Sequence, residues 1–313
     1  MRIVVTGGAG FIGSHVAEAF LHAGHDVLII DDLSTGKREN VPANARFAQV
    51  DIRDAAALEA AFADFRPEIV DHQAAQTSVS VSTREPVRDA EINVVGTIRV
   101  LEACVRHKVS RVVFASTGGA IYGEVPHPER AAIGRATHPL SPYACSKLAV
   151  EHYLYMFRHE HGLPYTVLRY ANVYGPRQDP HGEAGVVAIF SRRLVAGQPI
   201  RINAMRDPGD PGCIRDYVSV VDVVKANVAA IEGRIASDMI NVCTGVPTTT
   251  LDIANGLASA LQLQPQLEHG PRRAGDLERS VLDPSAFIAL LGPVVPLHDG
   301  LGQTARWFRD CPP

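Results

Sequence analysis

Short apolar runs alternate with longer amphipathic stretches through the first half of the chain. The runs predict strands at 3–6, 27–30, 46–49, 69–72, 111–115 and 166–170, and the stretches predict helices at 13–23, 55–65, 93–106 and 143–161. Strands that are apolar along their whole length are typical of a parallel sheet covered by helices on both faces. The pattern therefore predicts an α/β fold built on a doubly wound parallel sheet.

Beyond residue 175 this alternation gives way to segments rich in Pro and Gly, at 175–185 and 207–212. Helices are predicted near 186–196 and 220–232, and a strand is predicted at 239–243. We expect residues 1–170 to form the main domain, with 215–245 returning to it. Residues 171–214 and 246–313 are expected to form a smaller, loop-rich C-terminal lobe that binds the substrate.

Composition narrows the class of protein. With 313 residues, of which 46% are hydrophobic, the chain can bury more than one core. A net charge of -4 without a long Lys/Arg run disfavours nucleic-acid and membrane partners. The sequence opens on a strand pattern rather than a signal peptide, no apolar run approaches the roughly 20 residues of a membrane span, and the five cysteines form no CxxC pair. We expect a cytoplasmic protein.

A glycine-rich turn follows the first predicted strand directly and precedes the first helix. It contains Gly7, Gly10 and Gly13, with Phe11 and Ile12 inside the repeat. Such a turn lets the backbone approach a pyrophosphate, which then lies at the positive end of the helix. The turn predicts a dinucleotide site and makes the doubly wound sheet a Rossmann fold.

Carboxylates at the ends of the next two strands predict how the rest of the dinucleotide is held. Asp31 can accept hydrogen bonds from both ribose hydroxyls and would repel a 2′-phosphate, so the site should favour NAD over NADP. Asp51 ends the third strand and can hold the adenine amino group. The neighbouring residues expected to line the cofactor are Asp32, Ser34, Thr35, Gly36 and Ile52.

Tyr143 and Lys147 lie four residues apart at the start of a predicted helix, so both side chains lie on one helical face. An ammonium near a phenol favours the phenolate, and a bound oxidised nicotinamide acts in the same direction. We therefore expect Tyr143 to be the base for an alcohol proton.

At this point the chain resembles the extended short-chain dehydrogenase/reductase family, and within it the UDP-sugar 4-epimerases. Besides the segments above, the resemblance rests on motifs at 72–76, 93, 116–117, 122–123, 172–175, 215–217 and 273–276. It implies that Gln73, Ala74, Ala75, Gln76, Asn93 and Tyr170 join Tyr143 and Lys147 around NAD. It also implies that Asn172, Arg215, Arg273 and Asp276 hold the UDP part of the substrate.

The implied reaction is an internal redox cycle at C4 of the sugar. Tyr143 takes the proton of the 4-hydroxyl, hydride passes to NAD, and the 4-keto sugar turns over before hydride returns to its other face. Related dehydratases and decarboxylases carry an acidic residue where this chain has Gly118, Gly119 and Ala120. Simple epimerisation is therefore favoured, although both remain alternatives.

Many galactose-type epimerases carry a catalytic serine at the position of Gly118. Thr117 and Ser116 are the only hydroxyls left nearby. We expect Thr117 to relay the proton or to bind the 4-hydroxyl, with Ser116 beside it. Gly118 itself is expected to contact the substrate.

The sequence constrains the identity of the sugar less than it constrains the reaction. Val187 and Arg192 lie in the segment that, in this family, follows the loop covering the sugar. Arg192 can pair with a uronate carboxylate, and Ser280 implies a roomy pocket. We expect UDP-glucuronate and UDP-galacturonate, with the glucose or N-acetylglucosamine pair as the alternative. Family habit implies a homodimer through the helices at 93–106 and 143–161. An NAD-binding sensor and a net dehydrogenase are the alternatives outside epimerisation.

Overall fold

Strands and helices alternate through the first half of the chain in the computed structural model, which describes residues 1–180, 185–273 and 275–311. The strands are β1 Arg2–Thr6, β2 Asp26–Asp31, β3 Arg46–Gln49, β4 Ile69–His72, β5 Arg111–Thr117, β6 Tyr165–Tyr170, β7 Asn172–Tyr174, β8 Ile200–Asn203, β9 Ile214–Ser219, β10 Met239–Val242, β11 Pro247–Thr249, β12 Leu267–Gly270 and β13 Arg279–Ser280. This confirms the predicted α/β class.

The helices are α1 Phe11–His22, α2 Ala55–Phe65, α3 Val79–Arg84, α4 Pro86–Ala90, α5 Thr97–Arg106, α6 Gly118–Ile121, α7 Pro142–His161, α8 Val186–Val195, α9 Val220–Ile231, α10 Thr250–Leu261, α11 Ser285–Leu291 and α12 Leu297–Asp310. A 3-10 turn covers Arg38–Asn40, and a π-helical turn covers Glu91–Gly96. The predicted helix at 93–106 therefore begins as a π turn and continues as α5.

The first of two compact units comprises residues 1–117, 141–169 and 224–240. Its centre is a seven-stranded sheet in the order β10-β6-β5-β4-β1-β2-β3, and the pairings among β1 to β5 are parallel. The chain proceeds from β1 toward one edge and from β4 toward the other. The strand order therefore reverses between β1 and β4, and doubly wound sheets bind their ligands beyond the carboxyl ends of strands at such a point.

The second unit comprises residues 118–140, 170–223 and 241–313. Within it, β9 pairs with β7, β11 and β13, and a separate apolar core joins α8, α10 and α12. The sequence analysis expected 118–140, residue 170, 215–223 and 241–245 in the first domain, but all of these group with this unit.

The expectation of a loop-rich lobe was wrong for two long helices, α10 and α12. The buried face of α10 consists of Ile253, Ala254, Leu257 and Ala258, so two of its four buried side chains are alanine. Small side chains give a weak apolar pattern. A capping box at Thr249 and Asp252 nonetheless marks where this helix begins.

Among the described residues, none of the helices combines the length and the apolarity that a bilayer crossing requires.

Asp71 is a fully buried carboxylate in β4. Gln73 Nε2 donates to its Oδ1 at 2.6 Å, and its Oδ2 has no hydrogen-bond partner among the described residues. Burial raises the pKa of Asp71 from 3.8 to about 7. The folded protein therefore keeps a proton on Asp71 in a pH range where the unfolded chain releases it. The resulting stability is complete below about pH 4 and is lost as the pH rises to about 7.

We expect Asp71→Asn to stabilise the protein at alkaline pH, because the amide never has to ionise. Its advantage in free energy of unfolding should grow by about 2 to 3 kcal/mol between about pH 5 and pH 8. Urea unfolding at both pH values measures this, with the exposed Asp26→Asn as control. An advantage that is the same at both pH values would contradict the prediction.

Candidate active site

The glycine turn after β1 is so tight that Gly7 and Gly13 have no room for a side chain. Gly7 has a φ of +66°, and a Cβ there would lie 2.7 Å from the backbone of Ala74. A Cβ on Gly13 would lie 2.2 Å from the carbonyl oxygen of Gly7. Helix α1 then begins after Gly10 without a side-chain cap, so its first N–H groups remain available to an anion. This cradle fits the pyrophosphate of a dinucleotide.

Asp31 ends β2 beside this turn and is 7% exposed. Ala9 N donates to Oδ2 at 3.0 Å, and Leu33 N donates to Oδ1 at 2.8 Å. Burial raises the pKa of Asp31, while these two N–H groups lower it. A Cβ on Gly36 would lie 2.7 Å from Oδ1, so Gly36 keeps this carboxylate accessible from one side. Each oxygen retains a free lone pair for a ribose hydroxyl.

The other acidic residues predicted around the dinucleotide have local partners. Asp32 is exposed and accepts from the N–H and hydroxyl of Ser34, with Thr35 also exposed. Asp51 accepts 2.6 and 3.0 Å hydrogen bonds from the Arg53 guanidinium, which lowers the pKa of Asp51. The sequence analysis missed Arg53. Its pairing leaves Asp51 less available to an adenine than the sequence suggested.

The loop at 73–76 is held by Asn93, which lies in the π turn and is 2% exposed. Asn93 Oδ1 accepts from Gln76 N at 2.8 Å, and Asn93 Nδ2 donates to Gln76 O at 2.9 Å. Ala74 N donates to Thr6 Oγ1 at 3.3 Å, and Ala75 follows in the same loop. Both polar atoms of the Asn93 amide therefore hold this loop, which begins at the end of β4.

Tyr143, Lys147 and Thr117 are brought together where β5 ends and α7 begins. Tyr143 hydrogen bonds with Thr117, and Lys147 Nζ donates to Ala115 O at 2.8 Å. Burial lowers the pKa of Lys147 to about 8, although the charges of Asp89 and Glu151 raise it. Lys147 Nζ also lies 4.8 Å from the centre of the Phe114 ring.

The protein's own groups do not lower the Tyr143 pKa as the sequence analysis expected from Lys147. Burial raises the pKa of Tyr143 to about 12, and the hydrogen bond to Thr117 only partly opposes it. Desolvation of the phenolate outweighs this hydrogen bond, and the charge of Asp89 acts in the same direction as desolvation. A further positive charge has to reach Tyr143 before it can act as a base near neutral pH.

Ser116 was expected beside Thr117 at the reacting group, but its hydroxyl has another partner. Ser116 Oγ donates to Glu151 Oε1 at 2.6 Å, and Arg169 Nε donates to the same oxygen at 3.0 Å. The Arg169 and Glu151 side chains are 5% and 4% exposed. Ser116 therefore belongs to a buried polar network, and Thr117 alone meets Tyr143. Glu151 lies one turn beyond Lys147 on the same helical face, a signal that the sequence analysis overlooked.

Residues predicted to bind the UDP part lie around β9 in the second unit. Asn172 Nδ2 donates to Asp216 O at 3.1 Å, and a Cβ on Gly119 would lie 3.4 Å from that amide nitrogen. Arg215 donates to Ile214 O at 3.0 Å. Arg273 Nε lies 3.9 Å from Asp276 Oδ2, and Ala274 of this motif lies outside the described residues.

Asp216 was given no role from the sequence, yet it holds this motif in place. Its buried carboxylate accepts hydrogen bonds from Thr244 N at 2.9 Å and Gly245 N at 2.8 Å. These bonds fix β9 against the loop after β10, so Arg215 and the backbone partner of Asn172 have a rigid support.

The remaining predicted contacts differ in exposure. Val187 is 1% exposed and packs in the apolar core of its unit, while Tyr170 is buried at the end of β6. Arg192 is half-buried and Arg193 is exposed, as expected if one of the two turns inward. Ser280 is buried and donates to Gly119 O at 3.0 Å. Part of the predicted loop at 175–185 lies outside the described residues.

Comparison with known proteins agrees with the motifs. The model of the NAD dependent epimerase/dehydratase family matches residues 3–243. The UDP-glucose 4-epimerase of Mycolicibacterium smegmatis is 44% identical over 99% of both chains.

Among solved structures, that of the Thermus thermophilus UDP-glucose 4-epimerase in complex with NAD is 50% identical, with a TM-score of 0.94 over 99% of both chains. A UDP-N-acetylglucosamine 4-epimerase from Methanobrevibacter ruminantium M1 is 33% identical, with a TM-score of 0.88 over 99% of this chain and 98% of the other. The resemblance inferred from the motifs is thereby confirmed, and so is NAD as the cofactor of the family. This chain belongs to the NAD-dependent epimerase/dehydratase family.

Proposed function

We propose that this protein is an NAD-dependent 4-epimerase of UDP-sugars and that UDP-glucose and UDP-galactose are its substrates. The observation that carries the proposal is the meeting of Tyr143 with Thr117, beside the buried ammonium of Lys147. These three groups lie in the same unit as the glycine cradle. A protein that only sensed NAD would need the cradle but not a buried phenol, hydroxyl and ammonium at the same strand end.

NAD, when bound, supplies a reversible acceptor for the hydride of a sugar carbon. Tyr143 takes the proton of the sugar 4-hydroxyl and later returns it, and Thr117 hydrogen bonds the phenol during both transfers. Lys147 keeps a positive charge beside the phenol, which offsets part of the desolvation that opposes its ionisation. Because the UDP part is held by remote residues, the transient 4-keto sugar can turn while it stays bound.

The segment after Thr117 supports epimerisation over elimination or decarboxylation. Gly118, Gly119 and Ala120 carry no group that could move a second proton. The next carboxylate along the chain, Glu124, accepts from the N–H groups of Glu278 and Arg279 at 2.6 and 3.0 Å. Among the described residues, both oxygens of the Glu124 carboxylate are thus bonded to backbone N–H groups.

The expected preference for UDP-glucuronate lacks support, and the glucose alternative is favoured. Proteins similar to this chain over nearly its whole length include UDP-glucose 4-epimerases at 44% and 50% identity. Arg192 is half-buried on α8, which by itself does not require a carboxylate partner. An arginine stem can pack along an apolar surface with its charged end in water.

The substrate assignment is tested by measuring kcat/KM for UDP-galactose, UDP-N-acetylgalactosamine and UDP-galacturonate. We expect UDP-galactose to be the best substrate by at least about tenfold, the equivalent of about 1.4 kcal/mol in transition-state binding. Arg192→Ala and its exposed neighbour Arg193→Ala should both affect the three sugars evenly. The glucose assignment fails if UDP-galacturonate is turned over fastest and Arg192→Ala selectively slows it.

Asp31→Ala should weaken NAD binding by about tenfold to a hundredfold, because a charged hydrogen bond to the ribose contributes about 1.5 to 3 kcal/mol. The same change should reduce the discrimination against NADP. Calorimetric titration of nucleotide-free protein with both cofactors measures this, with Asp26→Ala, which is exposed at the other end of β2, as control. Equal affinity of the parent protein for NAD and NADP would contradict the role of Asp31.

Tyr143→Phe should retain bound NAD and lower kcat by about 10²- to 10⁴-fold, the usual cost of removing a general base. Only the phenolic oxygen is lost, so the melting temperature should change little. Tyr153→Phe, on an exposed part of the same helix, is the matched control and should retain activity. If Tyr143→Phe turns over UDP-galactose at nearly the parent rate, another group is the base.

A further inference from the structure

Asp89 is a carboxylate that is 1% exposed on α4, and neither the motifs nor the reaction above give it a role. Gln76 Nε2 and Asn93 Nδ2 donate to its Oδ1 at 2.9 and 3.0 Å, and Ser146 Oγ donates to its Oδ2 at 2.6 Å. All three partners act as donors, which is the arrangement that an ionised carboxylate requires. Asp89 thus differs from Asp71, which is equally buried but has one donor.

The three donors come from the parts of the first unit that shape the reacting groups. Gln76 ends the loop at 73–76, Asn93 holds that loop from the π turn, and Ser146 precedes Lys147 on α7. Asp89 therefore connects the cofactor loop, the loop at 73–76 that is predicted to line the cofactor, to the first turns of α7, the helix that carries Tyr143 and Lys147. A single side chain fixes the distance between these elements.

We infer that Asp89 is a positioning residue for the Tyr143–Lys147 pair, which it fixes against the cofactor loop while placing a buried negative charge beside the ammonium. The inference rests on the proposed roles of Tyr143 and Lys147 in epimerisation. It extends them by naming the group that keeps Lys147 charged inside the protein.

The charges around Lys147 support this role. Burial alone disfavours its ammonium, and Asp89 is the larger of the two carboxylate influences that raise its pKa, the other being Glu151. Glu151 is already paired with Arg169, so its charge is largely neutralised. His72 faces the same region, but burial lowers its pKa to about 3 and leaves it neutral.

Other charged groups near α4 lie on its outer side. Arg84, Glu85, Arg88 and Glu91 are all exposed, so water screens them from the buried cluster. Asp89 also raises the pKa of Tyr143, although burial is the largest cause of that rise. Loss of the Asp89 charge should therefore lower the pKa of both Lys147 and Tyr143.

The direct test is the protonation of Lys147, followed by NMR of protein labelled with ¹³C at the lysine ε-carbon. The chain contains only Lys37, Lys108, Lys147 and Lys225, and Lys147→Met identifies the signal. In Asp89→Asn, which keeps nearly the same shape without the charge, we expect the Lys147 pKa to fall from about 8. A nearby opposite charge is typically responsible for at least about a tenfold change in proton affinity. Asp54→Asn, an exposed helix cap, is the control and should leave this pKa unchanged.

The titration requires no turnover, so it can be read even if the proposed function fails. In the active enzyme, both limbs of the pH profile of kcat should move to lower pH in Asp89→Asn, whereas a purely structural role would lower kcat equally at every pH. An unchanged Lys147 pKa in a folded Asp89→Asn variant overturns the inference.

Ser146→Ala tests whether Asp89 positions the Tyr143–Lys147 pair through α7. This test remains possible even if Asp89→Asn does not fold. This change deletes one donor and keeps the charge. We expect kcat to fall by about tenfold or more, the equivalent of one hydrogen bond to a charged group, while the Lys147 pKa and the KM for UDP-galactose stay unchanged. An unchanged kcat would show that Asp89 does not position the pair through α7.

Discussion

The close approach of backbone to backbone at the ends of β1 and β4 is the constraint on which the first unit depends. Gly7 lies so near Ala74 that a single extra carbon atom would collide with the peptide, and Gly13 lies as near to Gly7. The first helix can begin directly over the sheet only because these positions lack side chains. Once this contact is made, the uncapped N–H groups of α1, the carboxylate of Asp31 and the loop at 73–76 all face the same strand ends.

Burial determines the electrostatics of the reacting groups. It raises the pKa of Tyr143 and lowers that of Lys147, so each group is held in its neutral form more firmly than in water. The buried carboxylates of Asp89 and Glu151 oppose the lowering at Lys147, whereas Asp89 adds to the rise at Tyr143. In the proposed mechanism, proton removal by Tyr143 near neutral pH therefore depends on the positive charge that a bound cofactor would add.

The sequence predicted the strands of the first unit closely because buried parallel strands are apolar along most of their length, and Gly7 and Asp31 mark where β1 and β2 end. Spacing along one helix and one strand end was enough to predict that Tyr143, Lys147 and Thr117 lie near the end of β5, as the structure places them. The sequence did not indicate that Ser116 hydrogen bonds with Glu151, because this partner lies 35 residues away on another element. Asp89 and Asp216 were missed for the same reason, because their partners include donors from other elements. Arg53 was overlooked although its partner Asp51 lies only two residues away.

The π turn at Glu91–Gly96 has a consequence for how this segment can vary. It connects α4 to α5, and from it Asn93 reaches back to Asp89 while the following Thr97 hydrogen bonds with His72 at 2.8 Å. A π-helical turn closes its hydrogen-bonded ring with one residue more than an α-helical turn, so it holds an extra residue without changing the direction in which α5 faces. Deleting one residue from the turn would restore a regular α-helix and keep Thr97 facing His72, but it would change the path of the backbone at Asn93. The extra residue therefore serves the local contacts of Asn93, and the phase of α5 does not depend on it.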